Sequence, residues 1–210
     1  MKRSFRIFAL LLALLTLLSF ASCGKKTESE ELVDEEGAVY TKTEERTNFV
    51  CIEMDTGKKI VLQLFPEYAP ITVKNFQDLV EKDFYDSLTF HRISPSFVIQ
   101  GGDPEGTGLG GPGYEIKGEF QSNGVENPLS HKRGVLSMAR ATDPDSAGSQ
   151  FFICLSTPYC QQLDGNYAAF GQVVLGMDVV DEIARVRCAG ETPLEKQVME
   201  EVYFVEKAEG

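Results

Sequence analysis

Phe90-His91-Arg92-Ile93-Ser94-Pro95-Ser96-Phe97-Val98-Ile99-Gln100-Gly101-Gly102-Asp103 sets one arginine, two aromatic residues, a glutamine and a glycine pair on strand-like segments, with no nucleophile and no metal-ligand spacing nearby. Residues 89–93 and 97–100 read as short strands. Outward from them the β pattern continues. Residues 48–54 and 58–65 form two strand-like runs joined at Asp55-Thr56-Gly57, a short loop of turn residues. Ile60, Leu62 and Leu64 alternate with Val61, Gln63 and Phe65, a mixed signal that predicts partial burial on both faces. Residues 135–139, 150–155, 169–174 and 202–206 are further strands. Pro70 opens a helix, because proline is tolerated in the first turn, and Val73, Phe76, Leu79 and Val80 form its core-facing stripe. Asp178 is expected to cap a second helix with Val179, Val180, Ile183 and Ala184 on its apolar side. Many strands with two helices predict a mainly β fold, a closed sheet or a sandwich, and the pattern does not choose between them.

The ends of the chain carry different information. Lys2, Arg3 and Arg6 precede an almost wholly apolar stretch over residues 7–20, too short to span a bilayer comfortably and of the length of a signal-peptide core. Ala21-Ser22-Cys23 follows, which resembles a bacterial lipoprotein signal rather than an ordinary secretory one. That resemblance implies cleavage before Cys23 and lipidation of its thiol; one acyl chain holds a protein only marginally, so a diacylglyceryl group is the stable arrangement. Residues 23–47 contain Glu28, Glu30, Glu31, Asp34, Glu35, Glu36, Glu44 and Glu45 and few large apolar residues, and are expected to be a flexible acidic linker. Random-coil scaling gives such a linker a reach of roughly 25–30 Å. Residues 48–210 suit one domain with a sizeable core. The full chain of 210 residues has a net charge of −12; without the three cations of residues 1–22, which contain no acid, it is −15. This acidity disfavours nucleic acid, whose binding needs phosphate neutralisation. The other four cysteines, Cys51, Cys154, Cys160 and Cys188, include no Cys-x-x-Cys, and export permits disulfides whose pairing sequence does not reveal. Cys154 lies in an apolar run and reads as a small buried hydrophobe.

Two more blocks complete the picture. Leu136-Ser137-Met138-Ala139-Arg140 leads through Asp145-Ser146-Ala147-Gly148-Ser149 into Gln150-Phe151-Phe152-Ile153-Cys154, and Leu163-Asp164-Gly165-Asn166-Tyr167-Ala168-Ala169-Phe170-Gly171 follows. With the opening run, in this order and spacing, they resemble the cyclophilin-type peptidyl-prolyl cis-trans isomerases. The resemblance covers about residue 48 to the C-terminus. It implies a closed eight-stranded antiparallel β-barrel with a helix closing each end, a cofactor-independent and metal-free reaction, and proline-containing or unfolded polypeptides as partners of a monomeric domain.

The reaction asks little covalent chemistry of a protein. A prolyl amide rotates against a resonance barrier of about 18–20 kcal/mol. Bringing exchange from tens of seconds to milliseconds takes roughly 7 kcal/mol off it. The protein must hold the proline and favour the twisted amide over the planar one. Arg92 matches the family's catalytic arginine: as the amide twists, lone-pair density localises on the prolyl nitrogen, and an always-charged, multiply donating guanidinium stabilises it. Phe97 and Gln100 match residues acting beside it. Phe97, Val98, Phe152 and Leu163 match the apolar proline pocket, Gln100 and Gln150 the polar residues that bond substrate backbone or hold the arginine, Ala139, Arg140 and Ala141 a segment lying along the bound peptide, and Gly106 a glycine at the adjoining pocket. Val98 stands where many relatives have methionine, and Arg140 where eukaryotic relatives have asparagine.

Two departures stand out. Gln162 replaces the tryptophan of cyclosporin-sensitive relatives, which removes a stacking surface and a donor and predicts weak cyclosporin binding. Tyr167 replaces a pocket histidine and keeps an apolar wall with one hydroxyl. His91 and His131 are too far apart to make a metal or base pair and read as structural. Gly106-Thr107-Gly108-Leu109-Gly110-Gly111 spells G-x-G-x-x-G, but Pro112-Gly113-Tyr114 is a poor helix start, so a glycine-rich surface loop is the better account. Ser149 lacks the G-x-S-x-G elbow of a serine hydrolase. The rival to an enzyme is a non-catalytic proline-peptide-binding chaperone or adaptor using the same groove. The sequence thus predicts a lipid-anchored, extracytoplasmic prolyl isomerase of a bacterial cell membrane that assists the folding of exported polypeptides.

Overall fold

The computed structural model describes residues 31–208. The expected signal sequence, Cys23 and the linker as far as Glu30 lie outside the described residues. The strands are β1 (Leu32–Val33), β2 (Val39–Lys42), β3 (Phe49–Met54), β4 (Lys59–Leu64), β5 (Arg92–Ser94), β6 (Val98–Gly101), β7 (Val135–Met138), β8 (Phe151–Cys154), β9 (Ala169–Leu175), β10 (Cys188–Ala189), β11 (Thr192–Pro193) and β12 (Met199–Lys207). Ten of them form one antiparallel sheet in the order β1-β2-β12-β3-β4-β9-β7-β8-β6-β5, and β10–β11 is a separate small hairpin. Backbone bonds also join the segment ahead of β5 to the segment at the start of β12. Ser87 N donates to Met199 O (2.8 Å), Met199 N to Leu88 O (2.8 Å) and Phe90 N to Gln197 O (3.0 Å), and Thr89 and Val198 form an antiparallel bridge.

The linker expectation fails for residues 31–47. β2 pairs with β12 through Val205–Lys42, Glu206–Thr41 and Lys207–Tyr40, and β1 pairs with β2. Tyr40 is the reason: its ring is 1% exposed and packs with Cys51, Val61 and Val205. Asp34 fixes the turn between β1 and β2 by accepting from Glu36 N (3.0 Å), Ala38 N (2.8 Å) and Tyr40 Oη (3.0 Å). One buried aromatic and a satisfied turn carboxylate outweigh the surrounding glutamates, which remain on the solvent side. This hairpin also explains the mixed pattern of β4. Ile60, Leu62 and Leu64 face the main core, while Val61, on the other face, lies beneath the hairpin and is equally buried.

Among the described residues there are three α-helices, one more than expected: α1 (Pro70–Val80), the single turn α2 (Thr157–Cys160) and α3 (Met177–Ala184). In α1, Val73, Phe76, Leu79 and Val80 are buried, as the 3.6-residue spacing requires. Ala69 offers no side-chain cap, and the free N–H groups of the first turn are met from far away in sequence. The buried Glu119 carboxylate accepts from Ile71 N (3.1 Å), Thr72 N (2.8 Å) and Thr72 Oγ1 (2.8 Å). α3 begins one residue before the expected cap: Gly176 is the N-cap, and Asp178 sits inside the first turn, where its charge still suits the helix dipole. Phe76 of α1 meets Phe151 of β8 edge-on at 5.5 Å and lies 5.3 Å from Phe170 of β9, which seats the helix against the inner face of the sheet.

Candidate functional site

Sheet register decides where the site forms. Across β5, β6, β8 and β7, Ile93 pairs with Ile99, Ile99 with Ile153, and Ile153 with Leu136. All four are fully buried in the main core. Side chains alternate along a strand, so the neighbouring row must face the other way. That row is Arg92, Gln100, Phe152 and Ser137, paired in sequence across the same four strands. A row of isoleucines on the inside therefore forces an arginine, a glutamine and a phenylalanine into line on the outside. Ser94, Val98 and Cys154 form the next outward row.

The polar part is a hydrogen-bonded relay. Arg92 Nη1 donates to Gln100 Oε1 (3.1 Å), Gln100 Nε2 to Gln150 Oε1 (2.9 Å), and Gln150 Nε2 to Gly110 O (2.8 Å). Arg92 Nε donates to Glu191 Oε2 (2.7 Å). These bonds engage Nε and Nη1, and Nη2 carries two further donors. The Gly110 loop is organised by Asp103, whose carboxylate accepts from Glu105 N (2.8 Å), Thr107 N (2.9 Å) and Gly108 N (2.5 Å) and is held below the usual carboxylate range by such bonds against the opposing effect of burial. No helix follows this loop; the next regular element is the 3₁₀ turn Gln121–Asn123. Gly102 makes the turn out of β6 with φ +82°, and a Cβ there would lie 2.5 Å from Ser149 O.

The apolar part lies beside the relay. Val98, Phe152, Cys154 and Cys160 form a cluster with Phe97, Ala139, Leu163 and Tyr167 packed against it. Val98 and Phe152 are 2% and 5% exposed and form the floor, while Phe97, Leu163 and Tyr167 keep exposed surface. Tyr167 meets Phe152 edge-on at 6.0 Å. Gln100, Gln150, Ala139, Arg140, Ala141 and Gly108 line an adjoining open groove of about 760 Å³. Of the described residues that the sequence assigns to the pocket and groove, Gly106 is elsewhere: it is exposed, at φ +67° in the Asp103 turn, and does not line the groove.

The Arg140 side chain braces the wall. Its Nε and Nη2 donate to Asn166 O (3.1 and 2.9 Å) and its Nη1 to Ala141 O (2.9 Å), and the guanidinium lies 4.6 Å from the Tyr167 ring centroid. Gln162, where an indole was missed, is exposed and bonds Tyr159 O (2.9 Å).

Several contacts around the site join residues that the sequence leaves unconnected, and they bear out His131 as structural and Cys154 as buried. His131 stacks on Phe152 at 6.2 Å, with Nδ1 2.8 Å from Asp164 Oδ1 and Nε2 2.9 Å from Ser137 Oγ. Burial lowers the His131 pKa despite Asp164, and Asp164 is held below its usual range by bonds from His131 and Ser130 against its own desolvation. The neutral imidazole therefore donates through Nδ1 to the carboxylate and accepts from the serine. Ser137 is fully buried, so the chain Ser137-His131-Asp164 has no open nucleophile and supports Phe152 from behind. Cys160 donates to Phe97 O (3.1 Å) and is buried with Cys154 in the same cluster. Cys51, Cys154, Cys160 and Cys188 are free thiols. Glu191 and Asp164 lie far along the chain from Arg92 and His131, and only the pairing of strands brings them together.

The family model for cyclophilin type peptidyl-prolyl cis-trans isomerases matches residues 49–204. The chain is 50% identical over 125 residues to peptidyl-prolyl cis-trans isomerase B of Bacillus subtilis, covering 60% of this chain and 82% of that protein. It is 44% identical over 141 residues to a peptidyl-prolyl cis-trans isomerase of Helicobacter pylori, covering 66% and 81%. A crystal structure of a cyclophilin type isomerase of Cryptosporidium parvum, determined in the presence of the dipeptide Ala-Pro, superposes with a TM-score of 0.66 at 32% identity, covering 74% of this chain and 97% of that one.

Proposed function

The chain belongs to the cyclophilin-type peptidyl-prolyl cis-trans isomerases, and on that premise we propose that it accelerates X-Pro rotation in exported polypeptides at the outward row Arg92–Gln100–Phe152. The observation that carries this reading is the relay from Arg92 through Gln100 and Gln150 to Gly110 O beside the cluster of Phe97, Phe152, Leu163 and Tyr167. The proline ring sits on Phe152 between Phe97, Leu163 and Tyr167. The chain on its N-terminal side runs along Ala139, Arg140 and Ala141 into the groove, with Gln100 and Gln150 facing its backbone. Arg92 offers Nη2 to the prolyl nitrogen. In the planar amide that nitrogen's lone pair is delocalised and is a poor acceptor; in the twisted amide it is localised and a good one. The interaction is therefore stronger in the transition state than in the ground state, which is the requirement for lowering the barrier. No bond breaks and no proton moves.

The same reading takes β12-β3-β4-β9-β7-β8-β6-β5 as a closed eight-stranded barrel, supported by the backbone bonds between residues 87–90 and 197–199. It takes the protein to be a monomer, anchored outside the cytoplasm of a bacterial cell through a lipid on Cys23, supported by the basic start, the apolar run and the small residues before that cysteine. It also takes cyclosporin binding to be weak, since Gln162 offers no indole. Two experiments test the proposal. Catalytic amounts of protein should abolish the slow, proline-limited phase in refolding of an exported protein, and an unchanged slow phase would refute the assignment of clients. Cys23→Ser should move the protein from the membrane fraction to the soluble one; a variant that stays membrane-bound would refute the anchor.

A further inference from the structure

We propose that Glu191 is a positioning residue for Arg92, an acidic brace delivered by the β10–β11 hairpin. The inference rests on the role given to Arg92 above. Glu191 is tied to β5 at two consecutive residues. Its backbone O accepts from Ile93 N at 2.7 Å, and its carboxylate accepts from Arg92 Nε at 2.7 Å. The hairpin that carries it is tight: Ala189 pairs with Thr192, so Gly190 and Glu191 are the two turn residues, Gly190 takes φ +66°, and Leu194 N donates to Arg187 O at 2.9 Å.

An ion pair with side chains 37% and 46% exposed would by itself do little. The geometry here does something else. Glu191 holds Nε from one side and Gln100 holds Nη1 from the other, so two of the three guanidinium nitrogens are fixed and the plane of the fork is set. The remaining nitrogen, Nη2, is then presented in one orientation. Arg92 stands at the end of the sheet order, on a three-residue strand paired within the sheet to β6 alone, so little else limits its rotamers. An arginine that must be fixed anew in each turnover loses part of its advantage, because only interactions already arranged for the transition state accelerate the step. Substrate binding depends mainly on the apolar cluster and the groove, which Glu191 does not line.

The test is prolyl exchange in an X-Pro peptide measured by NMR with the full-length chain, comparing Glu191→Ala, Glu191→Gln, Arg92→Ala and the double variant Arg92→Ala/Glu191→Ala. Glu191→Ala should lower kcat roughly fivefold, the scale of one exposed charge-assisted bond, with KM within about twofold. Glu191→Gln keeps an acceptor for Nε–H and should fall between Glu191→Ala and the unmodified protein. The Arg92 Nε–H resonance should lose its downfield shift and exchange faster with water in Glu191→Ala. In the Arg92→Ala background the second substitution should change nothing further. An unchanged or raised kcat in both Glu191 variants, or an equal loss in the Arg92→Ala background, would overturn the brace while leaving Arg92's role intact. If Arg92→Ala itself keeps full activity, the reading of the site fails first, and the two failures are distinct.

Discussion

Arg92 illustrates how much one residue's meaning depends on where its neighbours fall. Alone it is a half-exposed surface arginine; in the structure it stands in register with Gln100 and Phe152 and is held by Gln100 and Glu191. At the same scale, His131 gives a pH prediction. Its folded pKa lies below the ordinary 6.5 because it is buried, so between those two values the unfolded chain binds the proton and the folded one does not. Stability attached to this residue is complete above pH 6.5 and falls as the pH drops below it. The urea midpoint should therefore decline from pH 7 toward pH 5, and the His131 ring resonances should titrate with a midpoint under 6.5. A midpoint at or above 6.5 would contradict the buried neutral imidazole. Arg92, Phe97, Gln100, Gln150 and Phe152 were legible because whole blocks of residues around them match a family. Glu191 and the His131–Asp164–Ser137 chain were not, since each joins residues that only the folded register makes neighbours. Gly106 was misplaced by two positions along a loop: Gly108 lines the groove instead.

Among elements, the β1–β2 hairpin is the clearest case of tertiary packing overriding composition. Its sequence is acidic and reads as a tether, yet Tyr40 is buried on the outer face of β3, β4 and β12. Tyr40→Ala should cost about 3–5 kcal/mol, the scale for emptying a large buried aromatic site, read as a lower denaturant midpoint. Because the site is built on β5, β6, β7 and β8, prolyl exchange per folded molecule should be unaffected; a loss of activity in the folded variant would show coupling that this architecture does not contain. Helix α1 makes a similar point. Its apolar stripe was plain from spacing, but its N-terminal partner, Glu119, lies beyond β5 and β6 in the sequence. Glu119→Ala should destabilise by about 1–2 kcal/mol, as loss of a helix cap does, and a neutral result would mean other groups satisfy Ile71 and Thr72. Eight strands were predicted to within a few residues, because alternation survives wherever one face is buried, whereas the short β1, β2, β10 and β11 were not; β12 began earlier than expected, since Met199 is buried and pairs with Met54.

For the whole molecule, the fold separates two jobs. Inward rows of Ile, Leu and Phe make the core, and the proposed site lies on one outward patch of the same strands, so on that proposal substitutions on the outside change rate more than stability. The G-x-G-x-x-G stretch shows the same division: Gly108, Gly110 and Gly111 line the groove, Asp103 accepts from Thr107 N and Gly108 N, and the next regular element is the 3₁₀ turn Gln121–Asn123 rather than a helix. The missing indole at Gln162 is a whole-site effect as well. A cyclosporin titration should give affinity far weaker than nanomolar, and Gln162→Trp should strengthen it; tight binding by the unmodified protein would contradict the argument from Gln162. The most direct measurement is exchange between cis and trans X-Pro in a short peptide, with binding of the same peptide measured in parallel, for the protein and for Arg92→Ala. The account predicts fast exchange that falls about 10²–10³-fold in the variant while peptide affinity is largely kept. Exchange that survives the substitution would contradict the central role of Arg92.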